Sequence, residues 1–220
     1  MLTIYQADNE QILPSLSSES VHLIYIDPPF NTQRTQSSHV FVHLDQREVH
    51  YVKVLLDKVF GRDSFMNEII WSYDYGGRSK NRWPSKHDTI LWYVKDPKNY
   101  VFNYNAIDRI PYMAPSLVGP EKAKKGKTPT DVWWQTIVPT QSKARTGYPT
   151  QKPLPILERI VKVHSEPGNM VLDFFAGSGT TGEAACFHGR DAILVDSNPE
   201  AIKVMIKRLE KFNPQVVVHS

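Results

Sequence analysis

Three glycines and two acids near the C-terminus carry the first sign of chemistry. Residues 170–172 are a short apolar run that ends in Asp173. The chain continues Phe174-Phe175-Ala176-Gly177-Ser178-Gly179-Thr180-Thr181-Gly182, and from Thr180 the pattern turns helical. Strand, tight glycine turn and helix is the arrangement that lets backbone N–H groups approach a ligand closely. The next apolar run, 192–195, ends in Asp196. An acid at the tip of a second strand suits a ribose diol, because a carboxylate can accept two hydroxyl hydrogen bonds. This unit is therefore expected to hold an adenosine-type cofactor.

Two such cofactors compete. Gly177, Gly179 and Gly182 spell G-x-G-x-x-G, with Asp196 near the offset of a nicotinamide dinucleotide site. A dinucleotide fold needs a second mononucleotide half, and the residues after 196 leave room for one helix only. Asp173 would also repel a pyrophosphate, whereas it could pair with the ammonium of a methionine moiety. These points favour S-adenosyl-L-methionine over a dinucleotide. A second constellation, Asp27-Pro28-Pro29-Phe30, closes the apolar run 21–26. Two prolines cannot continue a strand ladder, so the chain must turn there.

Composition bounds the setting. The 220 residues suffice for one domain with a full core. Hydrophobic residues at 40% and charged residues at 22% match a soluble globular chain. The formal charge is only +3, so a nucleic-acid partner must be argued from local patches. Cys186 is the sole cysteine, which excludes a disulfide and a cysteine metal cluster; its place on a packing helix reads as a small core residue. His39, His43, His50 and His87 lack metal-ligand spacing, so no metal site is expected. With no membrane-length apolar run and no signal pattern, a reducing cytoplasm is the expected setting.

The elements that must position these residues follow from periodicity. Strands are predicted at 2–5, 21–26, 39–44, 67–73, 89–94, 170–172 and 192–195, with a further short one at 100–103. Helices are predicted at 10–16 with Asn9 as cap, 47–59 ended by Gly61, 153–163, from 180 onward, and 199–212. The run 21–26 is nearly all apolar, as a central strand buried on both faces should be. Residues 105–147 show little periodicity and read as an extended surface region. Alternating strands and helices predict one α/β domain over 1–220, with a mainly parallel sheet.

With both motifs placed, the chain resembles the bacterial DNA amino-methyltransferases, which pair a D/N/S-P-P-Y/F/W motif with an F-x-G-x-G motif. The catalytic motif comes first here, and Tyr148-Pro-Thr-Gln-Lys-Pro153 precedes the cofactor strand, which looks like the β class. The resemblance implies a Rossmann-like methyltransferase fold with one antiparallel strand near a sheet edge. It implies methyl transfer from S-adenosylmethionine to an exocyclic amine of double-stranded DNA, with the target base flipped out. Adenine N6 is favoured over cytosine N4, because cytosine enzymes more often begin the motif with Ser. A second copy of the chain and a cognate restriction endonuclease are further partners such enzymes can have. One departure stands out: the family usually has a helix and linker between the D-P-P-F turn and the next strand, and here only 33–39 remain.

Residue roles carry over from the matched motifs. Asp27 and the Pro28 carbonyl would accept the two amine hydrogens, Pro29 would help hold that carbonyl in place, and Phe30 would stack on the base. Asp8 would contact the adenine of the cofactor. Thr150, Gln151 and Lys152 would close over its methionine end, and Ser197 and Asn198 would shape the adenosine pocket. For DNA, Arg78, Lys80, Arg82 and Lys86 surround Trp83 in the loop 76–88, where cations neutralise phosphates and an aromatic can wedge at a flipped base. The region 105–147 is the other candidate DNA contact. Two rivals remain from the sequence alone. A protein glutamine methyltransferase uses a similar turn but places the cofactor motif first. A degenerate DNA-binding module would keep the fold without turnover.

Overall fold

A computed structural model describes residues 1–28, 37–139, 141, 142 and 144–219. Pro29, Phe30 and most of the short 33–39 linker lie outside the described residues.

The elements run β1 (Leu2–Gln6), α1 (Asn9–Ile12), β2 (Leu23–Ile26), β3 (His39–Leu44), α2 (Val49–Phe60), β4 (Phe65–Ser72), β5 (His87–Val94), α3 (Pro120–Lys125), β6 (Val132–Trp134), α4 (Leu154–His164), β7 (Met170–Asp173), α5 (Thr180–Phe187), β8 (Asp191–Asp196), α6 (Pro199–Leu209) and β9 (Gln215–Val218). The described strands form one sheet in the order β6-β4-β5-β3-β2-β7-β8-β1-β9. β5, third from one edge, is antiparallel to both β3 and β4. The other recorded pairings are parallel. This is the mainly parallel sheet with one reversed strand near an edge that the resemblance implies.

β2 and β7 are neighbours at the centre, with Leu23 beside Val171 and Ile24 beside Leu172. All four β2 residues are buried, as an apolar run covered on both faces must be. Leu23 and Tyr25 face the layer that holds Ile156, Ile160, Ala184 and Met205 of α4, α5 and α6. Ile24 and Ile26 face the layer of Ile12, Val49 and Leu56, from α1 and α2. The period of two along one strand thus assigns helices to both faces of the sheet.

Some expectations need correction. Asp8, not Asn9, caps α1 by accepting from the Glu10 N–H, and the α-helix stops at Ile12 before a short 3-10 turn carrying Pro14. Residues 100–103 form no strand. Asn103 instead ties this segment to the end of α4, donating to the carbonyls of Val163, Lys162 and Ser165. The region 105–147 contains α3 and the edge strand β6, and the chain after α6 adds β9. The residues after 196 therefore hold a helix and a strand, not one helix only.

Candidate active site

The parallel strands β2, β7 and β8 all end at the same sheet edge, which puts Asp27, Asp173 and Asp196 on one rim. Open α/β sheets bind ligands at that edge. A cleft of about 790 Å³ opens there, lined among others by Asp8, Asp27, Pro28, Thr150, Lys152, Asp173, Ser178, Asp196 and Ser197. Phe174, Phe175, Ala176, Gly177 and Thr180 line it as well.

The glycine turn is fixed by its own polar groups. Thr181 Oγ1 donates to Asp173 Oδ2 at 2.6 Å and the Phe175 N–H to Asp173 Oδ1 at 3.1 Å. The Gly177 N–H donates to Asp196 Oδ2 at 2.8 Å, and the Gly179 N–H to the Ala176 carbonyl at 2.7 Å. Three N–H groups of the turn are thus spent internally, two of them on carboxylates. A phosphate cradle needs those donors free, so the turn does not suit a pyrophosphate. Gly177 and Gly179 take positive φ of 50° and 74°, where a side chain would be strained. A Cβ on Gly182 would lie 2.5 Å from Leu194 Cδ1, so this glycine lets α5 close onto β8. Arg208 of α6 clamps the turn from outside, donating to the Ser178 carbonyl and to Thr180 Oγ1, while it pairs with Glu183 at 2.7 Å.

Electrostatics divides the acids. Burial pushes the Asp173 carboxyl up to about 7, helped by the charges of Asp27 and Asp196 and opposed by the Thr181 and Phe175 hydrogen bonds. Asp27 forms an ion pair with Lys152, whose ammonium reaches it from the Thr-Gln-Lys-Pro segment.

Most sequence-predicted residues converge on this cleft, but not all. Gln151 is not among its lining residues. Its side chain accepts from the Thr146 N–H and Oγ1 at 2.8 Å each and donates to the Ala144 carbonyl, so it staples the preceding loop. Asn198 likewise caps α6, accepting from the Glu200 N–H at 2.9 Å. In the basic loop, Arg78 is paired with Asp74, and Lys86 Nζ is turned inward onto the carbonyls of Tyr75 and Gly77. Lys80 and Arg82 are exposed, and Trp83 is 92% exposed. Tyr148 of the Tyr-Pro-Thr-Gln-Lys-Pro motif lines the cleft too, while other cleft residues escaped the motif reading: Tyr25, His43, Asp45 and Asp88. Their signal was weak, since each is one polar residue at or near the end of an apolar strand or inside a loop.

A methyl donor of the S-adenosylmethionine type fits these residues. Asp196 and Asp173 both line the cleft, where one could accept from a diol and the other pair with an ammonium, and the internally bonded turn demands no phosphate.

Comparison with known proteins agrees. The family model described as DNA methylase, for N6 and N4 targets, matches residues 34–208. The chain is 29% identical over 250 residues to the DNA adenine methyltransferase YhdJ of Escherichia coli (strain K12), covering 94% of this chain and 82% of that protein. That aligned span exceeds the 220 residues of the chain, so the relative has residues within the match that have no counterpart here. The type II methyltransferase M.HpaI of Haemophilus parainfluenzae is 29% identical over 231 residues, covering 91% of this chain and 72% of the relative. The M1.HpyAVI–SAM complex superposes with a TM-score of 0.67 at 25% identity, covering 95% of this chain and 100% of that one. The cytosine-N4-specific PvuII DNA methyltransferase shares the fold, with a TM-score of 0.70 at 17% identity over 93% and 85% of the two chains. From the cleft, the motif order and these matches together, the chain belongs to the N6/N4 DNA methylase family.

Proposed function

We propose that this DNA methyltransferase transfers a methyl group from S-adenosyl-L-methionine to the exocyclic amine of a flipped DNA base, with adenine N6 the favoured target. The observation that carries the reading is the placement of Asp27 and Asp173 at the ends of the adjacent strands β2 and β7, opening into one cleft. One carboxylate can then serve the amine while the other serves the donor. The relative named as an adenine methyltransferase, matched over 94% of this chain, supports adenine.

The donor, when bound, supplies an electrophilic methyl group. Asp196 and Ser197 would hold its ribose end, Asp8 its adenine and Asp173 its ammonium. An exocyclic amine is a poor nucleophile because its lone pair is conjugated into the ring. Asp27 can accept one amine hydrogen and the Pro28 carbonyl the other, which localises the lone pair and aims it. As the nitrogen bonds the methyl carbon, the carbon–sulfur bond would break with its electron pair going to sulfur, leaving a neutral thioether; the nitrogen becomes positively charged, and the Asp27 carboxylate both stabilises that charge and takes the proton that leaves. Positioning and electrostatics of this kind supply much of the acceleration. Pro29 and Phe30, proposed to fix the carbonyl and to stack on the base, complete the motif. Lys80, Arg82 and Trp83 are proposed to meet the DNA backbone and the opened stack.

The test is transfer of tritiated methyl groups to mixed duplexes, followed by digestion to nucleosides and chromatography. Label in N6-methyladenine is expected. Label in N4-methylcytosine would overturn the choice of base, and label in protein but not DNA would overturn the substrate class.

A further inference from the structure

The base side of the cleft holds a wired group of polar residues that neither motif contains. Tyr25 Oη lies 2.7 Å from His43 Nδ1, and His43 Nε2 lies 3.1 Å from Asp88 Oδ2. Tyr73 Oη donates to Asp88 Oδ1 at 3.1 Å. Tyr25 is fully buried, which raises its phenol well above the ordinary range, so it keeps its proton beside Nδ1. Asp88 is an acceptor-only carboxylate, so His43 Nε2 is the donor to it. Tyr73, pushed up to about 12 chiefly by burial, also keeps its proton for Asp88. Asp88 is thus a carboxylate with one donor on each oxygen, oriented from behind and partly open to the cleft.

Lys152 connects this group to the motif. Its ammonium rests on Asp27, and its charge also helps hold the Asp88 carboxyl below its usual range against the effect of burial. Among the described residues, Lys152 is the one recorded hydrogen-bond donor to Asp27. Asp88 already has two, so the cation favours Asp27 at rest. Asp27 Oδ2 is taken by the ammonium, so an entering base amine meets a carboxylate that is already charge-paired. Asp88, which lines the same cleft, is the second carboxylate that can take the cation. A cation left on Asp27 would also oppose the positive charge that grows on the nitrogen.

We propose that Lys152 is a counter-ion shared between two carboxylates, held on Asp27 until the base amine enters and received then by Asp88, which His43 and Tyr73 keep in place. Asp88, His43 and Tyr73 are positioning residues in this scheme, and it rests on the methyl-transfer reading above. The sharing has a signature that a structural role lacks, because removing the acceptor should hurt only while the lysine is present.

The experiment is a double-mutant cycle on the full chain with Asp88→Asn, Lys152→Met and both together. KM for duplex, kcat, and S-adenosylmethionine affinity by calorimetry would be measured for each, with wild-type turnover on DNA first. Asp88→Asn is expected to raise KM for DNA by about tenfold or more, the scale of one charged contact, with cofactor affinity within about twofold. Adding Lys152→Met should bring KM back to the value of Lys152→Met alone. Tyr73→Phe, which keeps the ring packing, should give a smaller rise in KM with kcat unchanged. Losses that simply multiply in the double variant, or a collapse of cofactor binding in Asp88→Asn, would overturn the shared counter-ion while leaving the methyl-transfer reading intact. A wild type that methylates no DNA would overturn both.

Discussion

The two sides of the cleft are built differently. On the cofactor side, the turn between β7 and α5 spends its N–H groups on Asp173, Asp196 and Ala176, and Arg208 clamps it from outside. Its residues are largely buried and its geometry does not wait for a ligand. On the side proposed to meet DNA, Lys80, Arg82 and Trp83 stand in solvent on a loop, and Asp27 is paired with Lys152. A small molecule of fixed shape can be met by a preformed surface, whereas a flipped base must be captured from a large moving partner. The difference predicts which changes damage the fold, which the cofactor and which only DNA.

The largest effect should come from the clamp. Arg208 and Glu183 are nearly buried as a pair, and removing Arg208 leaves Glu183 with the more exposed Lys211 alone and frees the Ser178 carbonyl and Thr180 hydroxyl. Arg208→Ala should destabilise the chain by about 3 kcal/mol, read as a lower midpoint in urea unfolding. An unchanged midpoint would show that the cofactor side is not held from α6. Next comes Asp196→Ala. It should weaken S-adenosylmethionine binding by roughly tenfold to a hundredfold, the range for losing hydrogen bonds to a charged group. Calorimetry checks this, and an affinity equal to wild type would remove Asp196 from the site.

Asp173 yields a smaller, pH-dependent effect. Its folded carboxyl titrates near 7, above the ordinary carboxylate value of about 3.9. The stabilising contribution of its proton is full below about pH 4 and is lost as pH rises through 7. Donor binding runs the other way, since an ammonium prefers the ionised form, so affinity should climb between about pH 6 and 8. Asp173→Asn should flatten both trends. An affinity that falls with pH in the wild type would contradict the assigned counter-ion. The smallest effects belong to the exposed loop. Lys80→Ala and Arg82→Ala should each weaken DNA binding a few-fold and lower the salt slope by about one. Arg78→Ala and Lys86→Ala should do less to that slope, because these two cations are engaged within the protein. Equal slopes for all four would erase the distinction.

Much of the fold was legible because its centre follows simple periodicity. The apolar run ending at Asp27 and the one ending at Asp173 became adjacent parallel strands, as buried runs should. The edge strands were not legible. Val132–Trp134 and Gln215–Val218 are only three and four residues long. Each is a strand through its partner, β4 in one case and β1 in the other, and a partner distant in sequence leaves no local trace. The site divides the same way. Glycine spacing with flanking acids marked the cofactor side, since turn geometry is a local property. His43, Tyr73 and Asp88 are brought together by three different strands and loops, and nothing in their spacing announces it. Gln151 shows the opposite failure, a motif residue whose side chain serves the loop beside it.

The contrast is tested most directly at Asp27. Asp27→Ala removes an acceptor that matters most as the amine nitrogen becomes positive, and an interaction that strengthens in the transition state is lost from turnover more than from binding. Tritiated-methyl transfer to DNA should fall by about a hundredfold or more, the scale of one preorganised electrostatic contact. Parallel titration should find S-adenosylmethionine affinity nearly unchanged, because Asp173, Asp196 and the glycine turn remain in place. Near-normal turnover in Asp27→Ala, or a loss of cofactor affinity as large as the loss of rate, would contradict the division of the cleft and the assignment of Asp27 to the base.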